Sequence, residues 1–136
     1  MRFSISKTCV ALAILCTTSG VGFAAEKNYI CTINEVYECV AVTGCSRLSL
    51  EDANLAGIML LDVEKKQLTS IAMGKDPRTD DLGNVTVTDK TILINGTRGT
   101  DGIWSSVVNL ETGQVSAGVS TPDSTLSLLG KCTPKP

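Results

Sequence analysis

Apolar and polar residues alternate through residues 103–120, and this pattern predicts two β-strands joined by a turn. The apolar positions are Trp104, Val108 and Leu110 before the turn and Val115, Ala117 and Val119 after it. The polar positions expected to face water are Ser105, Asn109, Ser116 and Ser120. Gly113 stands where a three- or four-residue hairpin loop requires a positive φ, which glycine adopts easily. The stretch therefore predicts a hairpin with one apolar face. Further strands are needed to cover that face.

Short runs of the same kind recur along the rest of the chain. The further predicted strands are residues 29–33, 36–42, 58–63, 68–73, 85–88, 91–94 and 125–132. Residues 74–84 and 95–102 are expected to be loops because they are rich in glycine and charged or polar residues. Ser49 and Asp52 have the spacing of a capping box, which here predicts a single helical turn.

This spacing of strands and turns is typical of an all-β fold. We expect a small antiparallel β barrel or sandwich of about eight strands. Its strands should be connected mostly as a meander, because sequential strands usually pair. Pairing of the first strand with the last would close the barrel.

The first 25 residues have the order of a secretory signal peptide. Arg2 and Lys7 precede an apolar run at residues 9–16, and small residues at the end favour cleavage after Ala24 or Ala25. An uncleaved anchor is the alternative, but a membrane helix needs about 20 apolar residues, and bulky residues before Cys16 argue against a lipid anchor. We therefore predict one domain at residues 26–136, located in the bacterial periplasm or outside the cell, without a membrane span.

Four cysteines remain in residues 26–136, and an even number in an exported chain indicates disulfides. Of the three possible pairings we predict Cys31–Cys132, which ties the first strand to the last, and Cys39–Cys45, which closes a local loop. A zinc site is the alternative, but the chain has no histidine and its cysteines lack the closely spaced pairs of zinc sites.

Charge argues against two classes of partner. Residues 26–136 keep all 14 acidic residues but, without Arg2 and Lys7, only ten of the 12 basic ones, a net charge of −4. No basic cluster is present in the sequence to contact phosphates, so we expect no nucleic-acid partner and no attraction to an anionic membrane surface.

The residue inventory also argues against catalysis. Without histidine, the usual proton shuttle and the commonest metal ligand are missing, and no Ser-His-Asp or Cys-His arrangement can form. Asp80 and Asp81 are a pair of carboxylates, but their sequence is that of a charged loop beside Arg78. We expect a protein that is not an enzyme and that needs no cofactor or metal.

The segment at residues 95–104 is the best candidate for contact with a partner. Trp104 is the only tryptophan and is expected either in the core or as an exposed anchor. In the second case Asn95, Arg98 and Asp101 would complete the contact surface, because tryptophan and arginine dominate binding hot spots.

Two features are similar to the bacterial periplasmic inhibitors of C-type lysozyme. The predicted domain has Tyr29-Ile30-Cys31 near its start and Cys132 near its end, and those inhibitors are small β barrels bracketed by such a disulfide. Their inhibitory loop, an S-G-x-x-Y motif followed by glycine, tryptophan and lysine, resembles residues 95–104. The shared residues are Gly96, Gly102 and Trp104, and the departures are Asn95 for serine, Gly99 for tyrosine and Ser106 for lysine. The resemblance implies a barrel and, as an expectation, inhibition of lysozyme.

These observations favour an exported binding module whose partner is another exported or extracellular protein. Inhibition of C-type lysozyme is one alternative. A barrel that carries a small apolar molecule in its interior is another, although few aromatic residues remain in residues 26–136 to line it.

Overall fold

The computed structural model describes residues 27–72 and 74–136, and the predicted signal peptide lies outside these residues. The described residues contain no helix and form ten antiparallel strands. The strands are β1 (Asn28–Val40), β2 (Gly44–Leu48), β3 (Ile58–Asp62), β4 (Gln67–Ile71), β5 (Arg78–Asp81), β6 (Asn84–Val87), β7 (Thr91–Arg98), β8 (Gly102–Asn109), β9 (Gln114–Ser120) and β10 (Ser124–Pro134). The predicted all-β class is confirmed.

All ten strands belong to one curled, half-barrel sheet. Its order is β5-β4-β3-β1-β10-β9-β8-β7-β6, and β2 pairs with the second half of β1. The two end strands, β5 and β6, are separated by only two residues. The amide of Leu82 donates to the carbonyl of Lys66, and that of Gly83 donates to the carbonyl of Asn95. This short connection therefore draws the two ends of the sheet together.

The first and last strands pair, as the cysteines predict. Cys31 lies opposite Cys132 in the β1–β10 ladder and forms a disulfide with it across 101 residues of sequence. A second disulfide joins Cys39 to Cys45 between β1 and β2. Both predicted disulfides are confirmed.

The expected break between residues 29–33 and 36–42 is wrong, because β1 is one strand with a bulge at Asn34. The register with β10 shifts between Ile33 and Glu35. Opposite the bulge, a Cβ on Gly130 would collide with the carbonyl oxygen of Thr32. The strand bends and continues because the bulge absorbs the extra residue that a turn would otherwise have used.

The two predicted loops also contain strand residues. Arg78–Asp81 is polar along its whole length, yet it pairs with β4, and the hydroxyls of Thr69 and Thr79 lie 2.8 Å apart across the pair. Strand β7 continues to Arg98 because β8 pairs with it up to Gly102. Both segments are strands because their backbones pair with a neighbouring strand. The pattern of apolar and polar side chains does not indicate this pairing.

The core consists of two clusters on the inner face of the sheet. The larger is Tyr29, Cys31, Leu61, Leu82, Ile92, Ile94, Val108, Val115 and Cys132, and the smaller is Ile33, Val36, Leu126 and Leu128. Leu48 at the end of β2, and Leu50 and Leu55 from the β2–β3 connection, pack against the smaller cluster. Within that connection, Ser49 Oγ accepts from the amide of Asp52 and donates to its carboxylate, and the amide of Ala53 donates to the carbonyl of Ser49. These residues form a turn and not the predicted helical turn, since the described residues contain no helix.

Candidate functional site

The predicted contact residues lie along the β7–β8 hairpin but do not share one face. Asn95 points outward and its side-chain oxygen accepts a hydrogen bond from Asn84 Nδ2 at 3.2 Å. Arg98 and Asp101 are exposed at the reversal, where Gly99 adopts a φ of +58°. The structure thus brings Arg98 and Asp101 together at the hairpin end and leaves Asn95 on the outer face.

Trp104 lies on the inner side of β8. Its half-buried ring packs against the larger core cluster and occupies the space above Gly96, where an added Cβ would lie 2.6 Å from Nε1. This placement follows from the alternation of β8, in which Trp104 and buried Val108 have the same parity. A role for Trp104 in partner contact stays a prediction.

Three hairpin reversals meet at one end of the sheet. Ile103 on β8 pairs with Ser120 on β9, Ser120 pairs with Thr125 on β10, and Thr125 pairs with Cys39 on β1. The reversals at this row are residues 98–103, residues 121–123 and residues 40–44, and we name them together the loop end. Loops grouped on a rigid scaffold are a common location for binding residues.

Val42 is the most unusual residue of the loop end. It adopts a φ of +78° and its side chain is fully exposed. A β-branched residue rarely takes a left-handed conformation, which costs of order 1–3 kcal/mol. An exposed valine makes no packing contact that offsets this strain, and the Cys39–Cys45 disulfide closes the hairpin on which it sits.

The loop end combines exposed apolar groups with unpaired charges. Ile103 is 64% exposed and Val40 is 36% exposed. Within the described residues, the side chains of Arg98 and Asp101 take part in no hydrogen bond or ion pair, whereas three other ion pairs form elsewhere. Those pairs are Lys27–Glu64, Lys65–Asp62 and Arg78–Asp80.

Sequence reasoning missed Val42 and Ile103 as surface residues. A usable signal for Val42 was present, because the loop between Cys39 and Cys45 is too short to enclose an interior, so its apolar residues must face solvent. Ile103 has the outward parity of Ser105, which the alternation of β8 already implied.

A depression of about 460 Å³ lies on the outer face, across β1, β10, β9 and β8. Its side chains are mostly neutral, and they come from the β1 bulge and the facing strands. The residues that line it are Asn34, Glu35, Val107, Asn109, Gln114, Val115, Ser116, Leu129 and Gly130.

Glu35 is held in place beside this depression. The hydroxyl of Tyr37 donates to Glu35 Oε2 at 2.7 Å. This hydrogen bond, together with the negative charge of Glu35, raises the pKa of Tyr37 above its usual value. The bond orients the carboxylate and leaves Oε1 free to accept from another group.

Within residues 27–72 and 74–136, no three His, Cys, Asp or Glu side chains are grouped so that they could hold a metal ion. Among the same residues, no helix has the length and apolar character to cross a membrane.

No protein-family model, curated protein or solved structure matches this chain. The geometry of the loop end and of the outer face is therefore the basis for inferring function.

Proposed function

We propose that this chain is an exported, non-enzymatic binding domain whose loop end contacts another exported or extracellular protein. Val42 carries the proposal, since its strained backbone and fully exposed side chain contribute nothing evident to the fold. Strain of this kind occurs where a residue serves a contact or a switch. The valine would insert into an apolar recess of the partner.

The remaining residues of the loop end fit the composition of a protein interface. Ile103 supplies a second apolar anchor, and Arg98 and Asp101 supply charges that are free to pair across an interface. Arginine is enriched among binding hot spots, and protein interfaces combine an apolar centre with a polar rim. The disulfide beside Val42 limits the entropy lost on binding.

Inhibition of C-type lysozyme is the specific alternative within this proposal. The segment that resembles the inhibitory loop contains Arg98 and Asp101, which are both exposed and unpaired among the described residues. Lysozyme turnover in the presence of the purified domain would identify this partner directly.

The test is affinity capture of envelope and extracellular proteins on the oxidised domain, followed by titration with the captured protein in purified form. Val42→Gly relieves the left-handed strain and removes the apolar side chain that the partner would bury, so we expect the melting temperature to stay the same or rise while affinity falls at least about tenfold. Arg98→Ala is expected to weaken binding as well, without a change in melting temperature.

Lys66→Gly is the matched control. Lys66 also adopts a positive φ, of 54°, but it lies in the β3–β4 turn at the opposite end of the sheet. The Lys66→Gly variant should relieve backbone strain in the same way as Val42→Gly, without changing the affinity for the partner. If neither Val42→Gly nor Arg98→Ala changed the affinity for the partner, the loop end would be excluded as the contact surface.

A further inference from the structure

Beyond the loop end, we propose that the depression on the outer face binds a saccharide, in particular a neutral sugar of one or two rings. The volume of about 460 Å³ is within the range of small-molecule sites. This site is separate from the proposed protein contact, and the two proposals can fail independently.

The depression offers hydrogen-bonding groups without partners among the described residues. The side chains of Asn34, Gln114 and Ser116 make no hydrogen bond there, and Asn34 is the bulge residue that the β1–β10 ladder leaves unpaired. Asn109 uses its side-chain oxygen for the amides of the β8–β9 turn, which leaves its NH₂ group free to donate. Hydroxyl groups of a sugar both donate and accept, and this mixture of donors and acceptors suits them.

Glu35 adds an acceptor of fixed orientation. Because Tyr37 already donates to Oε2, Oε1 remains available for a sugar hydroxyl. A hydrogen bond to an ionised carboxylate is stronger than one between neutral groups, so Glu35 would provide the strongest single contact.

Two apolar side chains complete the site. Val107 and Leu129 are 41% and 45% exposed and stand on either side of Ser116, because Val107 pairs with Ser116 and Ser116 pairs with Leu129. They present carbon surface to the C–H face of a pyranose ring, while the small serine between them leaves room for it.

The charge of the surrounding face selects an uncharged ligand. The outward positions of β7–β10 form four rows of four residues, and Lys131 is the only charged residue among them. The others are Thr91, Leu93, Asn95, Thr97, Ile103, Ser105, Val107, Asn109, Gln114, Ser116, Gly118, Ser120, Thr125, Ser127 and Leu129. Beside these strands the same face carries Glu35 and also Arg47, which lies opposite Tyr37 on β2 and acts on its charge, so the few charges around the depression are of mixed sign and give little field that would favour an ionic ligand.

The experiment is a titration of the oxidised, isotope-labelled domain with cellohexaose, chitohexaose and maltohexaose, followed by NMR of the backbone amides. We expect at least one of these sugars to give saturable shifts confined to the depression. Ser116→Leu fills the site and should lower the affinity at least about tenfold, and Glu35→Gln should also weaken binding.

Ser105→Leu is the matched control, since Ser105 is an exposed serine on the same face, in the neighbouring row, outside the depression. It should leave the affinity within about twofold of the parent domain. The proposal is overturned by an absence of saturable shifts with all three sugars, by shifts elsewhere on the surface, or by equal effects of the two leucine variants. Capture of a protein partner through the loop end would be unaffected by Ser116→Leu, so the outcome for this site is distinguishable from that for the proposed function.

Discussion

At the scale of single residues, two glycines of the same sheet differ in how much space their surroundings leave for a side chain. Gly96 lies beneath the ring of Trp104, and an added Cβ there would be 2.6 Å from Nε1. Gly118 faces outward, and an added Cβ would meet only the carbonyl oxygen of Leu126, at 3.9 Å. The sequence shows both as glycines in strands, and only their neighbours distinguish them.

We predict that Gly96→Ala lowers the free energy of unfolding by about 1–3 kcal/mol, because the tryptophan ring must move out of a packed position. Gly118→Ala should be neutral or slightly stabilising, since alanine fits the site and restricts the unfolded chain. Urea unfolding followed by tryptophan fluorescence measures both. Equal effects of the two variants would contradict the packing of Trp104 above Gly96.

Tyr37 gives a prediction about pH. Its pKa lies above the usual value of 10.0 because it donates a hydrogen bond to Glu35 and feels the charge of that carboxylate. The interaction therefore stabilises the fold at a pH below about 10 and is lost as the pH rises through the pKa of the folded state. Glu35→Gln should move the pKa of Tyr37 back toward its usual value.

The measurement is an NMR titration of ¹³C-labelled tyrosine, in which Tyr29 and Tyr37 are the two tyrosines of the chain. A pKa for Tyr37 that is insensitive to Glu35→Gln would show that the hydrogen bond does not form in solution.

At the scale of elements, the strands with an alternating pattern were predictable and those without one were not. The β8–β9 hairpin was predicted with its turn, and Gly113 has the expected positive φ of 74°. Strand β5 was missed because Arg78–Asp81 is polar on both faces, so no periodicity marks it. The polar residue Asn34 between two apolar runs predicts a turn, although it forms a bulge, because such a residue is typical of both structures.

For the candidate site, too, local sequence patterns predict some features and not others. Arg98 and Asp101 were predicted as surface residues, and the structure exposes both. The sequence does not predict the depression, since it joins the consecutive strands β8, β9 and β10 to the bulge of β1, which lies far from them in sequence. A surface of this kind depends on the order and register of strands, which local patterns do not contain.

At the scale of the whole molecule, the two disulfides restrict the unfolded chain to very different degrees. Cys31–Cys132 spans 101 residues and Cys39–Cys45 spans six. The entropy of loop closure predicts that the long bridge stabilises the fold by about 4–5 kcal/mol and the short one by about 2 kcal/mol.

We therefore expect the double variant Cys31→Ala/Cys132→Ala to lose more than twice the stability that Cys39→Ala/Cys45→Ala loses. Denaturant unfolding of both oxidised variants tests this, and the second variant should also bind the partner less tightly because its loop end is no longer closed. A larger loss of stability from the short bridge would show that the strand ends are held together mainly by packing.

By itself, the sequence determined the all-β class, most of the strands, the disulfide pairing and the meeting of the first and last strands. These depend on local alternation, on turn residues and on the small number of ways in which four cysteines can pair. Tertiary structure alone decided the curl of the sheet, the β5–β6 connection that draws its ends together, and the grouping of three reversals around Val42. Such features arise from backbone hydrogen bonds between distant segments, and these bonds are nearly independent of side-chain identity, so the order of residues along the chain does not reveal them.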